Sequence, residues 1–206
     1  MMINIPKAWE RRFKEKIGCQ SMDLPLKRWL GGFLKLLDKK AIILDSGCGT
    51  GEKADYIYKK GFKVIGIDSS ASAIAFAKKH FSGPKFFKKD CIRTGFKPNA
   101  FGAIVSIAVM HCFMKRERLE YIRELRRLLL PSGYLFVLVL SSDDTTKSRE
   151  KENEKGTFIQ SNSIPFHLFT NEEIISLFKK FKIIELKHHK KKIKKDIMAC
   201  YTLIMR

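Results

Sequence analysis

No stretch of this 206-residue chain approaches the roughly 20 consecutive apolar residues that a membrane-spanning helix needs. The longest strong run is YLFVLVL at residues 134–140. Cysteine pairs are missing too. Cys19, Cys48, Cys91, Cys112 and Cys200 are odd in number and far apart, and no two form a CxxC. That spacing argues against a disulfide framework and against a zinc site, so no metal is expected. An uninterrupted apolar segment is also lacking near the start, where Glu10, Arg11, Arg12, Lys14, Glu15 and Lys16 break any secretory core. No internal repeat is apparent. These absences together lead to the expectation of a soluble cytoplasmic chain in a reducing compartment, with no membrane partner.

Acidic side chains are the scarcest class relative to their counterpart: 21 Asp+Glu stand against 41 Lys+Arg, a formal net charge of +20. Such an excess suits a polyanion, although whole-chain charge says nothing about fold. The excess is uneven. Residues 141–178 carry a net −3, whereas residues 179–206 carry ten basic and two acidic side chains, a net +8. The densest cluster is HHKKKIKK at residues 188–195, preceded by Lys187. This 187–195 segment has two readings: a phosphate-tracking element, or a solvated connection of a hairpin. It contains no aromatic residue for base stacking.

What is present is enough apolar material for a core: 45% of residues are hydrophobic and 11% aromatic. Five short apolar segments read as strands, namely residues 41–45, 63–68, 85–89, 102–108 and 134–140. Four are apolar nearly throughout, as expected of strands buried on both faces of a parallel sheet. Helix signals alternate with them, at 52–60, at 71–80 with Ser70 as cap, and at 117–130 with Pro131-Ser132-Gly133 as its stop. The alternation predicts an α/β fold with a doubly wound, Rossmann-like sheet. Residues 1–40 read as an N-terminal helical cap, with helices at 7–17 and 25–37, and residues 41–206 as the main domain. Within it, residues 141–165 read as a mobile polar loop. Thr170 and Glu173 form a capping-box pattern for a last helix. Residues 182–186 and 197–205 read as a closing β-hairpin with residues 187–196 as its basic connection.

The most informative segment is DSGCGTG, residues 45–51, directly after the first strand and before a helix. Glycines at 47, 49 and 51 let the backbone turn sharply and approach a ligand. The spacing is GxGxG rather than the dinucleotide GxGxxG, and no GK[ST] follows, which excludes a Walker loop. A carboxylate at Asp45 would repel a pyrophosphate but suits an ammonium group. Asp68 ends the second strand, where a carboxylate can accept both ribose hydroxyls. The third ends at Asp90, followed by Cys91, where a side chain can bond an adenine amino group. Three acidic residues at successive strand ends describe a cationic, adenosine-containing ligand.

With these residues in place the sequence resembles the class I S-adenosylmethionine-dependent methyltransferases. The resemblance rests on LDSGCGTG (44–51), VIGIDSS (64–70), KKDC (88–91), FGAIVSIAVMH (101–111) and LLPSGYLFVLV (129–139), in the family's order. It implies a seven-stranded sheet with an antiparallel last strand and S-adenosyl-L-methionine as cofactor. It also implies roles for matching residues: Asp45, Gly47, Gly49 and Thr50 at the methionine moiety, Asp68 at the ribose, Asp90 with Cys91 at the adenine, and Ser106 with Ile107 at the methyl group. Cys48, Gly51 and Ser69 complete the cofactor-binding set. Where this chain has Gly102, the family commonly has an aspartate.

Two finer resemblances concern the acceptor. GFKVIGIDSSASAIAFA (61–77) is similar to the broad small-molecule branch. SIAVMHCF, Arg116, Arg118, ELRRL (124–128) and Phe166-His167-Leu168-Phe169 are similar to the tRNA wobble-uridine methyltransferases. The latter usually have a second histidine where Cys112 stands. The expectation is methyl transfer to a small molecule, with an RNA acceptor as the alternative and an inactive cofactor-binding partner subunit as the rival from another class. His111 and His167 are the candidate catalytic side chains, each able to serve as base or to orient an acceptor. No [DN]PP[YFW] follows the fourth strand, and no Pro-Cys marks a nucleophile. Cys112 reads as a buried thiol, and Trp9 and Phe13 as helix packing more than as a cover for the cofactor.

Overall fold

Five segments rich in Ile, Val and Phe pair side by side in parallel: β1 (Ile42–Ser46), β2 (Lys63–Asp68), β3 (Lys85–Lys88), β4 (Phe101–Ile107) and β5 (Leu129–Leu140). The computed structural model describes residues 4–15, 24–146, 149, 152–160 and 163–206. Three short strands, β6 (Glu152–Glu154), β7 (Thr157–Ile159) and β8 (Pro165–His167), form a separate antiparallel sheet. The chain closes with β9 (Ile183–Ile193) and β10 (Asp196–Met205), β10 lying antiparallel to both β5 and β9. The main sheet is therefore seven-stranded, in the order β3-β2-β1-β4-β5-β10-β9, with the antiparallel last strand that the family resemblance implies.

Helices cover both faces. On one lie α2 (Leu24–Leu34), α3 (Glu52–Lys59) and α4 (Ala71–His80), whose Leu30, Phe33, Ile57 and Ile74 pack on Ile43, Val105 and Phe136. On the other, α5 (Lys115–Leu128) and α6 (Asn171–Leu177) bring Tyr121, Leu125, Leu128 and Ile174 against Leu44, Ile104 and Val137. Chain order reverses beside β1, which pairs with both β2 and β4. That switch point is where open α/β sheets hold ligands, at the carboxyl ends of their strands. A further helix, α1 (Ile5–Glu15), lies over this end.

Local chemistry fixes most boundaries. Ser70 caps α4 by accepting from the Ala73 amide at 3.1 Å, and Thr170 caps α6 by accepting from the Glu173 amide at 3.2 Å. Helix α5 ends at Leu128, two residues short of the expected position. Proline at 131 pushes the preceding residue out of the helical region, so Leu129 and Leu130 already belong to β5. Gly133 lies within that strand, where a register shift opposite residues 101–103 absorbs the bend. Gly102 sits in close quarters there: an added Cβ would come within 3.0 Å of the Ala41 Cβ.

Two other expectations change. The polar segment 141–165 is not only a loop, because β6, β7 and β8 lie wholly or partly within it. The basic segment 187–196 is mostly strand: β9 continues to Ile193, and only Lys194 and Lys195 form the turn. Period-2 pairing explains it, since His188 stacks on Tyr201 and His189 on Trp29, anchoring both faces. Ile17 and Cys19 lie outside the described residues.

Candidate functional site

The glycine loop leaves β1 and returns into α3. Gly47, Gly49 and Gly51 have φ of 75°, 54° and 95°, a region that residues with a Cβ enter at a cost. Gly47 also lies against the Val109 side chain, with no room for a Cβ. The amides of Gly47 and Cys48 both donate to the Ile67 carbonyl at 2.9 Å, and the Gly49 amide donates to Asp68 Oδ2 at 3.0 Å. Asp68 Oδ1 accepts from the Ser70 amide at 2.9 Å. Burial raises the Asp68 pKa above its ordinary value, and these amides oppose the rise.

A cavity of about 220 Å³ opens over the strand ends. Gly47, Gly49, Asp68 and Ser69 line one side, and Asp90, Cys91 and Ile92 another. Ile107, Ala108 and Val109, followed by His111, Cys112 and Phe113, form the third wall. Ile5, Pro6, Trp9 and Phe13 of α1 make the roof. Trp9 and Phe13, read from sequence mainly as packing, thus face the cavity, with ring centroids 5.7 Å apart. Glu10 fastens this roof: its carboxylate accepts from the hydroxyls of Ser70 and Ser72, each at 2.7 Å, and from the Ser72 amide at 3.3 Å. The Ser70 and Ser72 hydroxyls hold its pKa down at about 2.

Of the residues expected at the cofactor, Gly47, Gly49, Asp68, Ser69, Asp90, Cys91 and Ile107 line the cavity together with His111. Others stand behind it. The Cys48 thiol is fully buried, and burial raises its pKa well above the ordinary value. Thr50 donates to the Glu52 carboxylate at 2.8 Å, closing the start of α3. Gly51 packs against Ala77, Phe86 and Phe81. Ser106 is displaced from its expected role. It is fully buried, and its hydroxyl lies 2.9 Å from that of Tyr121, which also meets Ser46 at 2.9 Å. Alternation along β4 sends Ser106 toward α5 while Ile107 turns to the cavity.

Asp45 is fully buried, and neither carboxylate oxygen has a well-formed hydrogen bond. Burial raises its pKa to about 6 against the pull of Lys53, which itself lines the cavity. A buried carboxylate with no well-formed hydrogen bond is costly, and its raised pKa shows that Lys53 compensates it only in part, so a further cation would relieve it. Together with the glycine cradle and the Asp68 and Asp90 carboxylates, it fits a ligand that carries an ammonium group and a ribose. The volume is below the ~300 Å³ lower end of typical cofactor sites, and α1 is what closes it.

His167 is elsewhere. Its ring is buried, with Nε2 2.8 Å from Glu173 and Nδ1 2.7 Å from the Thr157 hydroxyl. It lines a second cavity of about 720 Å³ beside Arg118, Phe158 and Glu173. Glu173, expected only to cap α6, is this histidine's partner. Sequence reasoning did not find the roof residues Ile5 and Pro6, nor Lys53, Glu117 and Val109. Lys53 alone had a readable signal, its position in the first turn after the loop.

Residues 44–137 match the family described as a methyltransferase domain. A probable tRNA methyltransferase 9B of Bos taurus is 30% identical over 134 residues, which are 64% of this chain and 29% of that relative. The putative methyltransferase YqeM of Bacillus subtilis is 34% identical over 124 residues, 57% of this chain and 50% of the relative. The chain thus spans half or less of the length of these curated relatives. An S-adenosylmethionine-dependent methyltransferase of Anabaena variabilis has the same fold, with a TM-score of 0.77, 18% identity, and coverage of 100% of this chain and 96% of that one. Residues 44–137 thus match a methyltransferase domain, and the seven-stranded sheet of the whole chain has the fold of the solved S-adenosylmethionine-dependent methyltransferases.

Proposed function

We propose that this chain transfers a methyl group from S-adenosylmethionine to an acceptor by direct displacement. The observation that carries the reading is the fully buried Asp45 carboxylate, neither of whose oxygens has a well-formed hydrogen bond, behind a glycine loop that Asp68 holds in place. The cofactor supplies an activated sulfonium methyl, so the protein's task is alignment and exclusion of water. Asp45 balances the ammonium, Asp68 takes the ribose hydroxyls, and Asp90 with Cys91 meets the adenine. Ile107, Val109 and Phe113 give the apolar wall that a sulfonium displacement favours, and α1 covers it. His111 is the group placed to orient an acceptor or remove its proton. Burial pushes the Cys91 thiol far above its ordinary pKa, which disfavours a thiolate nucleophile there.

The acceptor we favour is a small molecule in a cytoplasmic setting, in keeping with the modest cavity of about 220 Å³ beneath α1. RNA is the second reading, supported by the name of the bovine relative and by the basic flanks. The test is calorimetric binding of S-adenosylmethionine to the full chain and to Asp68→Ala, followed by a labelled-methyl screen across tRNA, protein and metabolite pools. Micromolar binding that falls at least tenfold in the variant is expected. No binding, or equal binding by both, overturns the reading. Binding without any methylated pool leaves an inactive cofactor-binding partner as the function.

A further inference from the structure

The pairing of β10 places the basic strand in a specific position. Cys200 sits opposite Leu140, the last residue of β5, and also opposite His189 of β9. Residues 190–193 and their partners 196–199 therefore run beyond the carboxyl end of β5, on the same side of the sheet as the cofactor cavity. At about 3.4 Å per residue the hairpin extends roughly 14 Å past that level. It carries Lys190, Lys191, Lys192, Lys194 and Lys195, all exposed.

The hairpin is built onto the body rather than fraying from it. The Ser141 amide donates to the Ala199 carbonyl at 3.0 Å, and the Thr145 amide to the Ile197 carbonyl at 2.8 Å. Buried Asp144 accepts from the Ala199 amide at 2.9 Å. At its base, His188 meets the Ser141 hydroxyl at 2.8 Å and His189 stacks on Trp29 of α2 with centroids 3.9 Å apart. Two of its cations are compensated, Lys190 by Asp143 and Lys187 by Glu185, each at 2.6 Å. Among the described residues, Lys191, Lys192, Lys194 and Lys195 form no ion pair.

We propose that this overhanging end of the β9–β10 hairpin is an arm that holds the phosphate backbone of an RNA beside the cofactor cavity. Lysines two apart on a strand lie about 7 Å from each other, near the separation of successive phosphates on an extended strand. The charge is not sorted to one face: Lys190 and Lys192 point one way and Lys191 the other. Cross-strand partners share a face, so Ile197, opposite Lys192, and Ile193, opposite Asp196, lie on different faces. An element that lies in a membrane surface instead segregates its apolar residues. Edge lysines also discourage strand-to-strand aggregation, and charge reversal preserves that effect while repelling phosphate. As an acceptor surface the arm rests on the methyltransferase reading; as a binding surface it does not.

The experiment is fluorescence anisotropy with a labelled 20-nucleotide single-stranded RNA and with bulk tRNA, from 50 to 200 mM KCl. It uses the full chain and the combined variant Lys191→Glu, Lys192→Glu, Lys194→Glu, Lys195→Glu, with S-adenosylmethionine affinity measured on both. Each phosphate contact contributes about 0.7 to the slope of log affinity against log salt for single strands. The variant should bind at least tenfold more weakly at 50 mM, with a slope shallower by about 3, and keep its cofactor affinity. Equal RNA affinity and slope in the two proteins overturns the arm. So does a wild-type chain that binds cofactor but no RNA, or one held by phosphatidylserine vesicles from which RNA does not displace it. Loss of cofactor binding by the wild type would count against the methyltransferase reading instead.

Discussion

The Asp45→Asn variant separates what a buried carboxylate costs the fold from what it gives the cofactor site. Asp45 is fully buried without a well-formed hydrogen bond, and its pKa rises from 3.8 to about 6. An acid with a raised folded-state pKa keeps its proton longer when folded than when unfolded. Below pH 3.8 both states are protonated and nothing is lost. Between there and pH 6 the folded state alone holds the proton, so stability falls as pH rises, and above pH 6 the loss is complete. A shift of this size corresponds to about 3 kcal/mol. Asparagine carries no charge at any pH and removes that loss. It leaves an amide to be satisfied and takes a partner from Lys53, which together cost about 1 kcal/mol. Cofactor-free Asp45→Asn should therefore match the wild type within about 1 kcal/mol at pH 4 and exceed it by about 2 kcal/mol at pH 7.5. Urea unfolding at the two pH values measures this. The same variant should bind S-adenosylmethionine at least tenfold more weakly, having lost the charge that faces the ammonium. A stability difference that is equal at both pH values, or a less stable variant at pH 7.5, would refute the account of the carboxylate as a charge that Lys53 compensates only in part.

Gly51→Ala should lower stability by about 2–4 kcal/mol, from the left-handed backbone and the crowding of a Cβ only 2.9 Å from Ala77 and Phe86; thermal unfolding reads it directly. Glu10→Gln should loosen α1 and speed cofactor release, measured by stopped-flow quenching of tryptophan fluorescence. Because the serine hydroxyls hold the Glu10 pKa at about 2, the latch is ionised above about pH 4.5 and weakens only as the pH falls toward 2, so the effect should be uniform from pH 5 to 9. His167→Gln should cost about 1–3 kcal/mol of stability, leaving the buried Thr157 hydroxyl and the half-buried Glu173 carboxylate imperfectly met. It should leave cofactor affinity and turnover nearly unchanged, whereas His111→Ala should reduce turnover with little effect on folding.

The strands and the glycine loop were readable because their signals are local. AIILDSGCGTG is a buried run followed by residues that tolerate positive φ, and both facts concern neighbours in sequence. The same holds for Ser70 and Thr170 as caps. Where the reading shifted, a non-local partner decided the outcome. Residues 187–193 look like a solvated lysine run until Tyr201 and Trp29 supply rings for His188 and His189. Ser106 looks like a cavity residue until Tyr121, fifteen positions away, turns it into a buried hydrogen-bond partner.

The roof shows the same limit at the site itself. Nothing in IPKAWERRF says whether its apolar face meets the core or a ligand, since both demand the same helical spacing. The answer lies in Glu10, the one acid between two arginines and a tryptophan, whose three acceptor contacts are with Ser70 and Ser72, sixty residues on. Those serines begin the helix that follows Asp68, so the latch and the loop anchor share one turn of chain. The Asp68 anchor of the glycine loop and the Glu10 latch of α1 are therefore joined through residues 68–72. The basic hairpin, fastened at the opposite end of the sheet order, is free to engage a partner without disturbing that link. The proposed cofactor site at the strand ends and the proposed basic arm on β9 and β10 thus rest on different residues, and each can be removed while the other is measured.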